Sequence, residues 1–221
     1  MKPLFVRYSV VWQFTNQLCG SVPQNKDLID PWLRARMPAS KPPEARELSE
    51  IQEEVFESLA APEEEKTVAS LGFQNSLDGE GKLSVRGATV RAHIKDCARQ
   101  LSKYVVGKIK GETSFAVRVI NTVYVEEDWV HIRKGAGFIM EPDGWIEKAF
   151  TVPSARGPVS AFKRFAYVEQ PQIAFTLKVL GGAVSRNDLE SIMQYGGLHG
   201  YGGERGMGHG RYIIEMIEEL S

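Results

Sequence analysis

An α+β fold of ferredoxin-like (RRM-like) βαββαβ order, built as a single domain, is what this sequence predicts, and three observations carry the expectation. Apolar residues alternate at Leu4, Val6, Tyr8, Val10, Trp12 and Phe14, and again at Ile173, Phe175, Leu177 and Val179, which is the period of strands with one buried face. Between these runs, Val90, Ile94, Cys97, Leu101 and Val105 recur at helical spacing. The chain then closes on a capped helix, a glycine-crowded stretch from Gly196 to Gly210 and a last apolar segment.

In chain order, residues 4–15 form the first strand. A Gly20-Ser21-Val22-Pro23 turn leads to a short helix within residues 27–36 and a proline-containing linker over 37–43. Residues 44–59 follow as an amphipathic helix with Leu48, Ile51, Val55 and Leu59 on one stripe. This region interrupts the main pattern, so residues 20–80 are expected to be an inserted, partly helical, acidic segment. Leu83 to Val85 then enter a helix over 88–106. A strand over 115–125 is expected to pair with 129–133 as a hairpin about Glu126-Glu127-Asp128. Glu141-Pro142-Asp143-Gly144 makes a second turn between 138–140 and 145–150. After a strand over 172–180, Ser185 caps a helix with Asp188 three residues on, Gly196-Gly197 ends it near 195, and residues 211–217 form the final strand.

The chain has 221 residues, 43% of them hydrophobic, enough to bury a core without staples. Its two cysteines, Cys19 and Cys97, stand outside any CxxC or Cys/His spacing, which argues against a disulfide framework and a zinc site. No apolar run has the length of a membrane span. A cytoplasmic protein without metal or other cofactor is expected. The net charge of −1 argues against coating nucleic acid by bulk electrostatics, yet the charges are segregated. Residues 44–65 are crowded with glutamates, whereas residues 82–118 are rich in lysine and arginine.

Two segments carry a family resemblance. Leu83-Ser84-Val85-Arg86-Gly87-Ala88-Thr89-Val90-Arg91-Ala92 resembles the short strand, turn and basic helix start of the RAMP superfamily, the RNA-binding folds of CRISPR effector subunits. The run from Tyr195 to Tyr212 is similar to the glycine-rich loop that precedes the last strand of those proteins. The surroundings of Gly181, Gly197 and Ala155-Arg156-Gly157-Pro158 also resemble RAMP-like proteins carried by bacteriophages. The resemblance implies a ferredoxin-like fold and RNA or another single-stranded nucleic acid as partner. It also admits a protein complex such as a CRISPR effector.

Glycine lets backbone N–H groups approach a phosphate, so the loop is a candidate cradle through Gly203, Gly206 and Gly208, with Arg205, His209 and Arg211 adding charge. No Gly-Lys-Ser/Thr follows, so this is no Walker loop. Arg91, Lys95, Arg99 and Lys103 recur every four residues and would form a cationic ridge along the long helix. Arg156, Lys163 and Arg164 interleave with Phe162, Phe165 and Tyr167, a mixture that can pair phosphates and stack bases or can be a strand of the core. The RAMP ribonucleases use histidine as acid or base. Here His93 borders the buried stripe and reads as a packed residue, while His199 and His209 have more freedom, with Tyr201 or Arg205 to assist. No spacing fixes an acid and base pair. Binding without catalysis is therefore the leading expectation, with a metal-independent endoribonuclease and a protein-interaction module as alternatives.

Overall fold

A computed structural model of the protein describes residues 4–25, 28–29, 33–34, 51, 53, 55, 57, 59, 69–77, 80–102, 114–152, 159–181 and 183–220. In chain order its elements are β1 (Phe5–Phe14), β2 (Leu18–Cys19), β3 (Val22–Pro23), β4 (Ala69–Gly72), β5 (Gln74–Asn75), β6 (Leu83–Arg86), α1 (Gly87–Leu101), α2 (Phe115–Thr122), β7 (Val123–Val125), β8 (Trp129–Lys134), β9 (Gly137–Phe138), β10 (Gly144–Val152), β11 (Val159–Val168), β12 (Gln172–Leu180), α3 (Arg186–His199) and β13 (Tyr212–Leu220). This is a mixed α+β architecture with large, mainly antiparallel sheets. Two compact units divide it: Met1–Leu18, Ser84–Phe138 and Glu169–Ser221 form the first, and Cys19–Leu83 with Ile139–Val168 the second.

In the first unit the strands lie in the order β13-β1-β12-β8-β6, with β7 also on β12 and β9 on β8. Tyr8, Val10, Trp12 and Phe14 of β1 are buried, as are Ile173, Phe175, Leu177 and Val179 of the antiparallel β12. The alternation seen in the sequence thus marks the face that holds the core. Val90, Ile94, Cys97 and Ala98 of α1 and Leu189, Ile192 and Met193 of α3 are buried as well. Trp12 is fully buried and stacks on Tyr212, with ring centroids 4.1 Å apart.

In the second unit the order is β10-β11-β4-β3, with β11 and β4 parallel. Ile29, Leu33, Val55 and Leu59 form a separate buried cluster there. Val55 and Leu59 of the expected amphipathic stripe are therefore inward, whereas Ile51 is exposed. The linker over 37–43, Leu48 and most of the acidic run lie outside the described residues.

Three sequence expectations are corrected. Residues 115–122 are helical, because the Ser114 hydroxyl accepts the Val117 N–H and Phe115, Ala116 and Val119 share a buried helical face. Only Val123–Val125 is strand. The expected hairpin at 126–128 is a bulge. Both β7 and β8 run antiparallel to β12, Val125 facing Leu177 and Ile132 facing Ile173, so the longer chain must loop out between them. The Glu127 carboxylate accepts the Thr176 N–H at 2.8 Å in place of a backbone carbonyl. The chain does bend at 141–144 as expected, between β9, which pairs with β8, and β10, which pairs with β11. Finally, α3 continues through Gly196 and Gly197 to His199. A Cβ on Gly196 would fall onto the Tyr212 hydroxyl, and one on Gly197 onto the Tyr212 carbonyl. These glycines bring the helix close to β13; they do not terminate it.

Candidate nucleic-acid interface

The glycine loop belongs to the first unit and is built from its base upward. Ser185 and Asp188 form a reciprocal capping box that starts α3. The helix closes at Gly200, whose φ is +84° and whose N–H donates to the Gly196 carbonyl at 2.8 Å. Tyr201 then turns inward and is buried against Trp12. Thr89 donates its hydroxyl proton to the Arg86 carbonyl at 2.7 Å, which leaves Tyr201 to donate to Thr89, also at 2.7 Å.

The returning strand of the loop is clamped by the end of β1 and the residues after it. Gly210 accepts from the Tyr201 N–H and donates to the Gln17 carbonyl, both at 2.8 Å. Its φ is +74°, and a Cβ there would collide with the Tyr201 carbonyl, so glycine is required. Asn16 donates through Nδ2 to the Gly208 carbonyl at 2.6 Å and accepts the Arg211 N–H at 3.0 Å. Above this base stands a 3-10 turn of Arg205, Gly206 and Met207, all exposed. The loop is thus closed at its foot and presents a short tip, the form of a compact Ω-like loop.

Behind the loop lies a buried polar cluster. His93 Nε2 and the Tyr212 hydroxyl are 3.1 Å apart, and Cys97 Sγ is 3.7 Å from the same nitrogen. Burial first, then the charges of Arg205 and His199, push the His93 pKa down to about 3. Burial raises the Cys97 thiol to about 12 and lifts the Tyr201 and Tyr212 phenols above their ordinary value. None of these groups changes charge near neutral pH, so the cluster serves packing and hydrogen bonding. His199 is more open. Its Nε2 is 3.8 Å from an Asp96 carboxylate oxygen, and its ring stacks on Tyr195.

The expected site residues fall into separate groups. Arg205 and Gly206 are exposed at the tip, Gly208 and His209 are half-buried below it, Gly203 is buried, and the exposed Arg211 has its backbone tied to Asn16. Tyr201 lies inside the core and cannot assist at a surface phosphate. Along α1, Arg91 donates to the Val123 and Ile120 carbonyls at 2.9 and 3.0 Å and covers the Tyr124 ring at 4.2 Å. It is a structural clasp on the end of α2. Arg99 is exposed. Lys95 is half-buried, and its pKa is lowered by burial and by its neighbours Arg91 and Arg99. The ridge and the loop occupy opposite flanks of α1, since Thr89 and His93 face Tyr201 and Tyr212 while Arg91 faces α2 and β7.

Lys163 and Arg164 stand on β11 of the second unit, where Arg164 covers the Trp145 ring at 4.2 Å. They are consecutive in a strand, so they point to opposite faces. Phe165 between these and Tyr167 is fully buried, whereas Phe162 is exposed. Arg156 and Lys103 lie outside the described residues. Sequence reasoning missed Asn16, which the loop depends on, because a lone asparagine after a strand carries no signal of its distant partner. Among the described residues no group of His, Cys, Asp and Glu could hold a metal ion, and no helix is long and apolar enough to cross a membrane.

No family model matches the chain. No curated protein matches it either. Among solved structures it is similar to a chain of the cryo-EM structure of the type III-B Cmr-beta bound to cognate target RNA, with 8% sequence identity and a TM-score of 0.44. The match covers 98% of this chain and 61% of that one, so the protein spans under two thirds of its neighbour's length. A likeness this distant assigns neither family nor function.

Proposed function

We propose that the protein binds RNA as a RAMP-like, ferredoxin-like domain, in which residues 20–80 are an inserted acidic segment, and that it holds the phosphate backbone without cutting it. The observation that carries this reading is the loop: a base tied by Tyr201, Asn16 and Gly210 beneath an exposed tip that carries Arg205. A preformed loop loses little conformational freedom on binding, and a cation beside glycine backbone suits a phosphate. The succession β13-β1-β12-β7, antiparallel throughout, with α1 after β1 and α3 before β13, supports the fold reading. Lys95 and Arg99, half-buried and exposed on the other flank of α1, offer a second and separate cationic patch.

A gel shift with labelled single-stranded RNA at low salt tests the reading. Arg205→Glu combined with Arg99→Glu abolishes retention in this scheme, while thermal unfolding stays unchanged. Failure of the parent protein to retain RNA or DNA there sinks it. The approach of His199 to Asp96 favours one second reading, a metal-independent endoribonuclease with His199 as proton acceptor. Labelled RNA that stays intact through long incubation in EDTA rules it out for that substrate, whereas cleavage lost in His199→Ala would establish it. Partners in a larger complex such as a CRISPR effector are tested by pull-down with and without nuclease, because a direct protein contact survives digestion.

A further inference from the structure

Strand β8 carries a surface that the glycine loop does not use. Val130 and Ile132 are buried toward the core, so Trp129, His131 and Arg133 lie on the other face. The flanking strands add to that face: Arg86 stands opposite Trp129 on β6, and Phe138 stands opposite Arg133 on β9. The Arg86 guanidinium covers the Trp129 ring at 3.8 Å, and that of Arg133 covers the Phe138 ring at 4.7 Å. His131 meets the same phenyl ring edge-on at 5.4 Å and is steadied by Ser84 Oγ, 2.9 Å from its Nδ1. Phe138 is 40% exposed. Arg133 Nε is buried and has no hydrogen-bond partner among the described residues.

We infer that this face takes unpaired bases of single-stranded RNA, stacking them beside Trp129 and Phe138 while Arg86 and Arg133 meet the backbone or base edges. The inference rests on the RNA-binding reading and adds to it a class of RNA. Three features favour this occupant. The face combines planar aromatic and guanidinium groups, the pairing on which single strands are held. Its charged members, Arg86 and Arg133, are cations. Alternate residues of a strand stand about 7 Å apart. That is twice the rise of about 3.4 Å between stacked duplex bases, and it fits an extended, unstacked strand.

Binding of fluorescently labelled RNA, single-stranded and as a duplex of equal length, followed by anisotropy over a salt series, tests the inference. Trp129→Ala and Phe138→Ala are each expected to weaken single-strand binding about tenfold, with the salt slope unchanged, because stacking is lost and no phosphate contact is. Trp129→Phe keeps a ring and restores most of the affinity. Since Phe138 is partly exposed, its variant keeps the fold even if Trp129→Ala does not. Parent-like binding by Phe138→Ala, or an equal loss on duplex and single strand, overturns the inference while leaving the RNA-binding reading intact. Loss of binding in Arg205→Glu alone, with both aromatic variants unaffected, has the same meaning. A parent protein that binds no RNA overturns both.

Discussion

Thr89, His93 and Cys97 recur along α1 at the same four-residue interval as Arg91, Lys95 and Arg99, yet the two rows meet different surroundings. The first row faces Tyr201 and Tyr212: Thr89 is exposed but hydrogen-bonded to buried Tyr201, and His93 and Cys97 are buried. The second begins with a half-buried structural duty at Arg91 and ends in solvent at Arg99. Equal spacing makes a row, but the neighbouring elements decide its chemistry. A cationic ridge read from sequence is therefore only as functional as its outermost members.

The largest expected effect on this contrast comes from His93→Ala, which opens a cavity and strips Tyr212 of its partner. Chemical denaturation should show a loss of about 3 kcal/mol. A result near zero would make the first row as dispensable as a solvated one. Next is the pH dependence. The folded pKa of His93, about 3, lies below its ordinary 6.5, so the unfolded chain binds the extra proton between those values. His93 stability is complete above about pH 6.5 and is lost on acidification toward pH 3, at up to about 1.4 kcal/mol per pH unit. His93→Gln, which cannot titrate, should flatten that part of the stability profile.

Arg91→Ala should cost about 1–2 kcal/mol through the lost bonds to Ile120 and Val123 and the lost cover on Tyr124. Arg91→Lys should rescue little of it, since an ammonium cannot reproduce the planar fork. The smallest stability effect belongs to Arg99→Ala, within about 0.5 kcal/mol. Its expected signature is instead a salt slope of RNA binding reduced by about one. If Arg91 and Arg99 gave equal stability changes, the division within the ridge would be wrong.

Much of the fold was legible because its signals are local. The alternation in β1 and β12 and the Ser185 to Asp188 cap are each contained within a few residues, and each reappears in the structure. Where two local signals competed or a distant neighbour decided the outcome, the reading failed. Phe115, Val117 and Val119 alternate like a strand, but Ser114 caps a helix and Val117 is turned outward. Gly196-Gly197 looks like a terminator until Tyr212 is placed against it. For the candidate site, the glycines and Arg205 were visible, while Asn16 and the face of β8 were not. On β11 the mixture of cations and aromatics drew attention by composition, yet its Phe165 is buried. On β8 the same ingredients fall at alternate positions, and only strand geometry puts them on one face.

The bulge at Glu126 to Asp128 has a consequence for how the protein behaves in a crowded cell. By breaking the partner of β12 in two, it leaves β7 only three residues long, and among the described residues β7 pairs with β12 alone. An outer strand that short, ending in Glu126 with its ties to Arg7 and Lys178, offers a poor template for another chain to join. The looped-out acids thus act as a guard against sheet-to-sheet aggregation along that edge.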